Sequence, residues 1–61
     1  MAIIIRFYNN GNGSADYITS TKKTSMLDVN PNEHLKKAFE NGFHVISREF
    51  HENGDVTLYL N

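Results

Sequence analysis

Residues 30–60 read NPNEHLKKAFENGFHVISREFHENGDVTLYL, and two breaks divide them into a helix and a hairpin. Asn30 can cap a helix whose first position is Pro31, where the missing N–H costs nothing. Glu33 stands three residues after Asn30, completing a variant of the capping box and favouring the helix dipole. Leu35, Ala38 and Phe39 fall at i, i+3 and i+4, a narrow apolar stripe. Asn41-Gly42 ends the run, with Gly42 suited to the left-handed position after the last turn and Phe43 set to fold back near Ala38. A helix of about eleven residues is marginal by itself, so it needs a sheet to pack on.

The second break is Asn53-Gly54. A two-residue turn there would pair His51 with Val56 and Glu49 with Leu58, mixing charged and apolar groups on one face. A three-residue loop, Glu52-Asn53-Gly54, instead pairs Phe50 with Val56, Arg48 with Leu58 and Ile46 with Leu60, with Gly54 at the left-handed bulge position. Because a one-residue slip turns every side chain over, the apolar pattern selects the second register. Arg48 is the exception on that face; a position at the sheet margin or a pairing with Glu40 would accommodate it.

Working back towards the N-terminus, residues 2–8 (AIIIRFY) carry the β-branched and aromatic types of a strand. Asn9 to Ser14 is rich in Asn and Gly and reads as a turn. Ala15 to about Thr21 follows as a second strand with only Tyr17 and Ile18 as large apolar residues, which suits an edge. Thr19–Ser25 is polar and reads equally as strand or loop, and Met26 and Leu27 are expected to tuck onto the core. The sum is a single α+β domain over residues 1–61: β-hairpin, helix, β-hairpin (ββαββ), a four-stranded antiparallel sheet with one helix packed on one face. The predicted core is Ile3, Ile5, Phe7, Ile18, Leu35, Phe39, Phe43, Ile46, Phe50, Val56 and Leu58.

Size limits how such a domain is stabilised. At 61 residues it has no cysteine, hence no disulfide, and no Cys/His zinc pattern. Oligomerisation is the remaining common support for so small a core, which points to a homodimer. Six basic residues stand against seven acidic ones, for a net charge of −1. That balance argues against a strongly basic nucleic-acid-binding domain. No apolar stretch approaches a membrane span, and Met1–Arg6 lacks the basic region of a signal peptide, so a cytoplasmic protein is expected.

With the helix on one face of the sheet, the other face should be polar, yet Ile4, Tyr8, Val45 and Tyr59 fall there. They form the candidate interface for self-association or for a protein partner; the edge strand Ala15–Thr21 is a second candidate, by strand addition. Chemistry is poorly represented. His34, His44 and His51 lack the i, i+4 spacing of a metal site. Ser20, Ser25 and Ser47 have no nucleophile elbow around them to make a triad with a histidine and Asp55. The Glu49, Glu52 and Asp55 cluster reads as solubilising charge at a hairpin end. Gly11-Asn12-Gly13 lacks the helix and lysine of a phosphate loop. No cofactor and no catalysis are therefore expected. The leading expectation is a non-enzymatic binding or regulatory protein acting through protein–protein contacts as a homodimer. The alternative is a small nucleic-acid-binding regulator, with Lys22 and Lys23 in the 19–25 segment and Lys36 and Lys37 on the helix gripping phosphates from one direction.

Overall fold

Alternating apolar side chains near the two ends of the chain build its centre. In a computed structural model, which describes residues 2–61, they form strands β1 (Ile3–Phe7) and β5 (Val56–Leu60). These lie antiparallel in the register Ile3↔Leu60, Ile5↔Leu58, Phe7↔Val56. The shared face gathers Ile3, Ile5, Leu58 and Leu60 into the buried cluster, with Ala15 also buried. Strands β2 (Ala15–Ile18), β3 (Lys23–Met26) and β4 (Val45–Phe50) complete an antiparallel sheet of five strands among the described residues, in the order β3-β2-β1-β5-β4. Helix α1 (Pro31–Glu40) follows β3 in the chain.

The expected four strands are thus five, and the order is βββαββ. The extra strand comes from the polar segment. Thr19 N–H donates to the Lys22 carbonyl (2.9 Å), and Thr19 Oγ1 accepts from Lys22 N–H (3.3 Å), closing a tight turn with Ser20 and Thr21 at its tip. A threonine side chain thereby supplies a turn bond where no Gly or Asn marks one. The chain returns as β3 in the register Ile18↔Lys23 to Ala15↔Met26. Consequently β2 stops at Ile18 and is flanked on both sides, and the sheet edges are β3 and β4. The expectation that Ala15–Thr21 offers an open edge does not hold. Met26 is half-buried, whereas Leu27 is 72% exposed rather than tucked inward.

The helix ends are as the sequence reads. Asn30 Oδ1 accepts from the N–H groups of Asn32 (3.0 Å) and Glu33 (3.4 Å). At the far end Gly42, at φ +88°, donates to the Phe39 carbonyl and Phe43 donates to that of Ala38. This pair of bonds is a Schellman motif, which turns the chain back towards the sheet.

In the second hairpin Phe50 faces Val56 and Arg48 faces Leu58, the register the apolar pattern selects. Gly54 has φ +93°, the left-handed conformation that favours glycine, and a Cβ there would press on the Asn9 side chain. Beyond Arg48 the register departs from expectation. A bulge between Val45 and Ser47 places Val45, not Ile46, opposite Leu60. The extra residue reverses the alternation, so Val45 joins the core side and Ile46 is left 66% exposed.

Width explains what remains uncovered. Five strands span roughly 19 Å, whereas a helix is about 10–12 Å across with its side chains. Leu35 and Ala38 pack against the central cluster. His34 meets the ring edges of Phe7 (6.2 Å) and Tyr17 (5.9 Å), tying α1 to β1 and β2. The β4 side is left open: Phe39 is 49% and Phe50 72% exposed. Phe39, Ile46 and Phe50 are therefore not core residues, and neither is Ile18, which lies half-buried opposite Ile4 on the other face of the sheet; Phe7, Leu35, Phe43 and Val56 are half-buried against the cluster, and Leu60 belongs at the centre.

This burial map sets an expected contrast. Leu60→Ala should cost about 2–5 kcal/mol, whereas Leu27→Ala should stay within about 0.5 kcal/mol. Urea denaturation followed by circular dichroism measures both.

Candidate functional site

The sheet presents two unlike faces. Alternation along β1 places Arg6 and Tyr8 with Ile4 on the face away from the core. Asp16, Asp55 and Thr57 are buried despite being polar, and each has partners. Asp55 accepts from Asn9 N–H (2.8 Å) and from the Arg6 guanidinium (3.0 Å). Asp16 accepts from the hydroxyls of Tyr8 and Ser25 and pairs with Lys23 Nζ at 3.5 Å. The Arg6 guanidinium lies 5.2 Å from the centre of the Tyr8 ring. The network therefore links β3, β2, β1 and the β4–β5 loop by charge-assisted bonds.

These contacts set the protonation states. The Asn9 backbone N–H, then Arg6, hold the Asp55 carboxyl below its ordinary range. The Tyr8 hydroxyl does the same for Asp16 against the cost of burial, helped by Ser25 and Lys23. In return Asp16 raises the Tyr8 phenol, and Glu49 raises that of Tyr59. Burial, then the charge of Lys37, lowers the His34 imidazole.

One constellation on this face has the outline of a catalytic triad. His51 Nε2 and Thr57 Oγ1 are 2.8 Å apart, and His51 Nδ1 lies 4.0 Å from Glu49. That last distance is too long for a hydrogen bond. Glu49 also accepts from Tyr59 at 3.2 Å, and Thr57 is buried away from any substrate. The arrangement satisfies a buried hydroxyl and lacks the geometry to activate it. The described residues contain no group of three or more His, Cys, Asp or Glu placed to hold a metal ion. Among them no hydrogen bond joins Ser20, Ser25 or Ser47 to a histidine, and Asp55 is committed to Arg6.

The core face carries the other feature. Between α1 and the open edge runs an apolar groove of about 680 Å³, lined chiefly by Leu35, Phe39, Val45, Phe50 and Val56, with Arg48 and His44 as its polar elements. The position of α1 over the β1 and β2 side leaves this groove open, and β4 forms its outer wall. Arg48 makes no pair with Glu40, and no ion pair or hydrogen bond engages it among the described residues.

The sequence-derived candidates divide between the two faces. Ile4 stands beside Ile18 on one side and Tyr59 on the other, an apolar row on the polar face. Tyr8 is on that face but held by Asp16. Val45 is on the opposite face, because of the bulge, so the four do not form one patch. The lysines also separate. Lys23 pairs with Asp16 on the polar face, whereas exposed Lys36 and Lys37 project from α1, on the other side of the sheet; Lys22 is exposed in the turn. The groove was missed because Phe39 and Phe50 have the periodicity of core residues. The shortage of helix relative to sheet was its only signal.

Comparison with family models, curated proteins and solved structures returned no match. No helix among the described residues is long and apolar enough to cross a membrane.

Stability should fall with acid in two stages. The folded chain resists protonating His34, so stability declines as pH drops below about 6.5, the ordinary histidine value. Asp16 and Asp55 are stabilising while ionised, and that contribution is lost below about pH 4, as pH falls through their depressed folded values. Urea midpoints at pH 7.5, 5.5 and 3 should show both stages. His34→Gln should remove the upper one, and Asp55→Asn should flatten the lower.

Proposed function

We propose that the chain is a non-enzymatic binding protein that acts through protein–protein contacts on the groove between α1 and β4. The carrying observation is the groove itself. Large apolar side chains, Phe39 and Phe50 among them, remain exposed beside an unpaired strand edge. Exposed contiguous apolar surface of this kind marks interaction sites, and an edge strand adds main-chain hydrogen bonds to the contact. The polar groups of the opposite face are engaged with one another, which leaves them little capacity to bind. A cytoplasmic setting fits a chain without cysteine.

The nucleic-acid alternative required lysines converging from one direction, and the sheet separates Lys23 from the helical pair. That geometry weighs against it.

Affinity capture from the cells that make the protein, with and without nuclease, tests the reading. Phe39→Glu should reduce protein capture by about tenfold or more, as expected for an interface anchor, while Ile4→Lys should leave it unchanged. The opposite pattern would move the binding surface to the polar face. Salt-labile nucleic-acid retention, lost when Lys22, Lys23, Lys36 and Lys37 are changed to Gln, would favour the alternative.

A further inference from the structure

We infer that Asn12 is a site of covalent self-modification: the backbone nitrogen of Gly13 displaces the Asn12 side-chain amide, and the succinimide so formed opens to isoaspartate or aspartate.

Each of the four glycines follows an asparagine, in Asn10-Gly11, Asn12-Gly13, Asn41-Gly42 and Asn53-Gly54. Glycine has no side chain to hinder attack by its own nitrogen, so the sequence makes all four pairs alike. Hydrogen bonds in the folded chain separate them. The reaction needs an asparagine side chain free to swing onto the next nitrogen, and an N–H free to lose its proton. At Asn41 both are engaged: Nδ2 donates to the Lys37 carbonyl (2.8 Å), and Gly42 N–H donates to that of Phe39 (3.0 Å). At Asn53 both are engaged again: Oδ1 accepts from Asp55 N–H (3.0 Å), and Gly54 N–H donates to the His51 carbonyl (3.0 Å). Asn10 is held at both ends of its amide, Oδ1 accepting from Asn12 N–H (3.0 Å) and Nδ2 donating to Ser14 Oγ (3.1 Å). Asn12 is exposed, and neither its side chain nor the Gly13 N–H is hydrogen-bonded among the described residues. The loop is tied down elsewhere. The carbonyls of Asn12 and Gly13 accept from the N–H groups of Asp28 (3.3 Å) and Val29 (2.8 Å), through oxygens that ring closure leaves in place.

The atoms balance with water as the only co-reactant. The Gly13 nitrogen gives its proton to water or hydroxide and bonds to Asn12 Cγ. The Cγ–Nδ2 bond breaks, and the amide takes up a proton and leaves as ammonia. Water then adds to the imide. Cleavage at Cγ gives aspartate, and cleavage at the main-chain carbonyl carbon gives isoaspartate, in which the backbone runs through Cβ and Cγ. Nothing is oxidised or reduced.

Isoaspartate lengthens the backbone by one methylene where there is no slack. A Cβ on Gly13 would already lie 3.1 Å from the backbone of Asp28 and Val29. The longer chain cannot keep both bonds to these residues, and its new carboxylate adds negative charge next to Asp28. Asp28 and Val29 lead directly into Asn30, the cap of α1. Modification at Asn12 therefore releases the entry of the helix from the first hairpin.

Peptide mapping by mass spectrometry, on the full chain held at mildly alkaline pH, follows all four asparagines in buffer and in urea. In buffer Asn12 should convert about tenfold faster than Asn10, Asn41 or Asn53, whose hydrogen bonds must first break. In urea the preference should vanish. Conversion of another asparagine first, an Asn12 as slow as the other three, or a preference that survives in urea overturns the proposal. The modified form carries one more negative charge, so ion exchange isolates it. Hydrogen exchange at the Val29 amide should be faster in that form than in fresh protein. Asn12→Gln has no side-chain partner to lose and closes a ring far more slowly, so it should keep the fold by circular dichroism and keep Val29 protected after the same incubation. A Val29 amide equally protected in the isoaspartate form overturns the release of α1.

Discussion

The pairing of the first strand with the last holds this molecule together. Ile3 meets Leu60 and Ile5 meets Leu58 across almost the full length of the chain. Their side chains supply most of the fully buried apolar surface. Closing so long a loop is entropically unfavourable, and the returns come from burial on one face. Everything else is attached to this pair: β2 and β3 extend the sheet on one side, β4 on the other, and α1 contributes Leu35 and Ala38 over the centre. A chain of this size has few such residues, which is why the core is narrow and the flanks are open.

The face opposite the core holds its strands in register by other means. Asp16 and Asp55 each collect several donors. A carboxylate left without such donors under this much burial would be strongly destabilising. The network joins β1 to both neighbouring hairpin segments and anchors the Asn9–Asn53 contact that Gly54 makes room for. Pairing these groups with one another turns a polar face into a structural one.

The core side is open because one helix cannot span five strands. His34, wedged against Phe7 and Tyr17, fixes α1 towards β1 and β2. Phe39 and Phe50 then lie across a gap that no element of the described chain fills. Because β4 is the last strand of the sheet, that gap adjoins an open edge.

Local chemistry in the sequence determined the helix and its caps, the loop around Gly54 and the Phe50↔Val56 register, since each depends on residues within a few positions of one another. It also marked Ile3, Ile5 and Leu58 as core. Only the tertiary structure decided the fifth strand, because Thr19 closes its turn with a side-chain bond that composition does not announce. It likewise decided the face of Val45, since one inserted residue near Ile46 reverses an alternation that the pattern carried straight through. The exposure of Phe39 and Phe50 followed last. Periodicity states which side chains share a face, but whether that face is covered depends on the widths of the packed layers, a property that no local stretch of sequence contains.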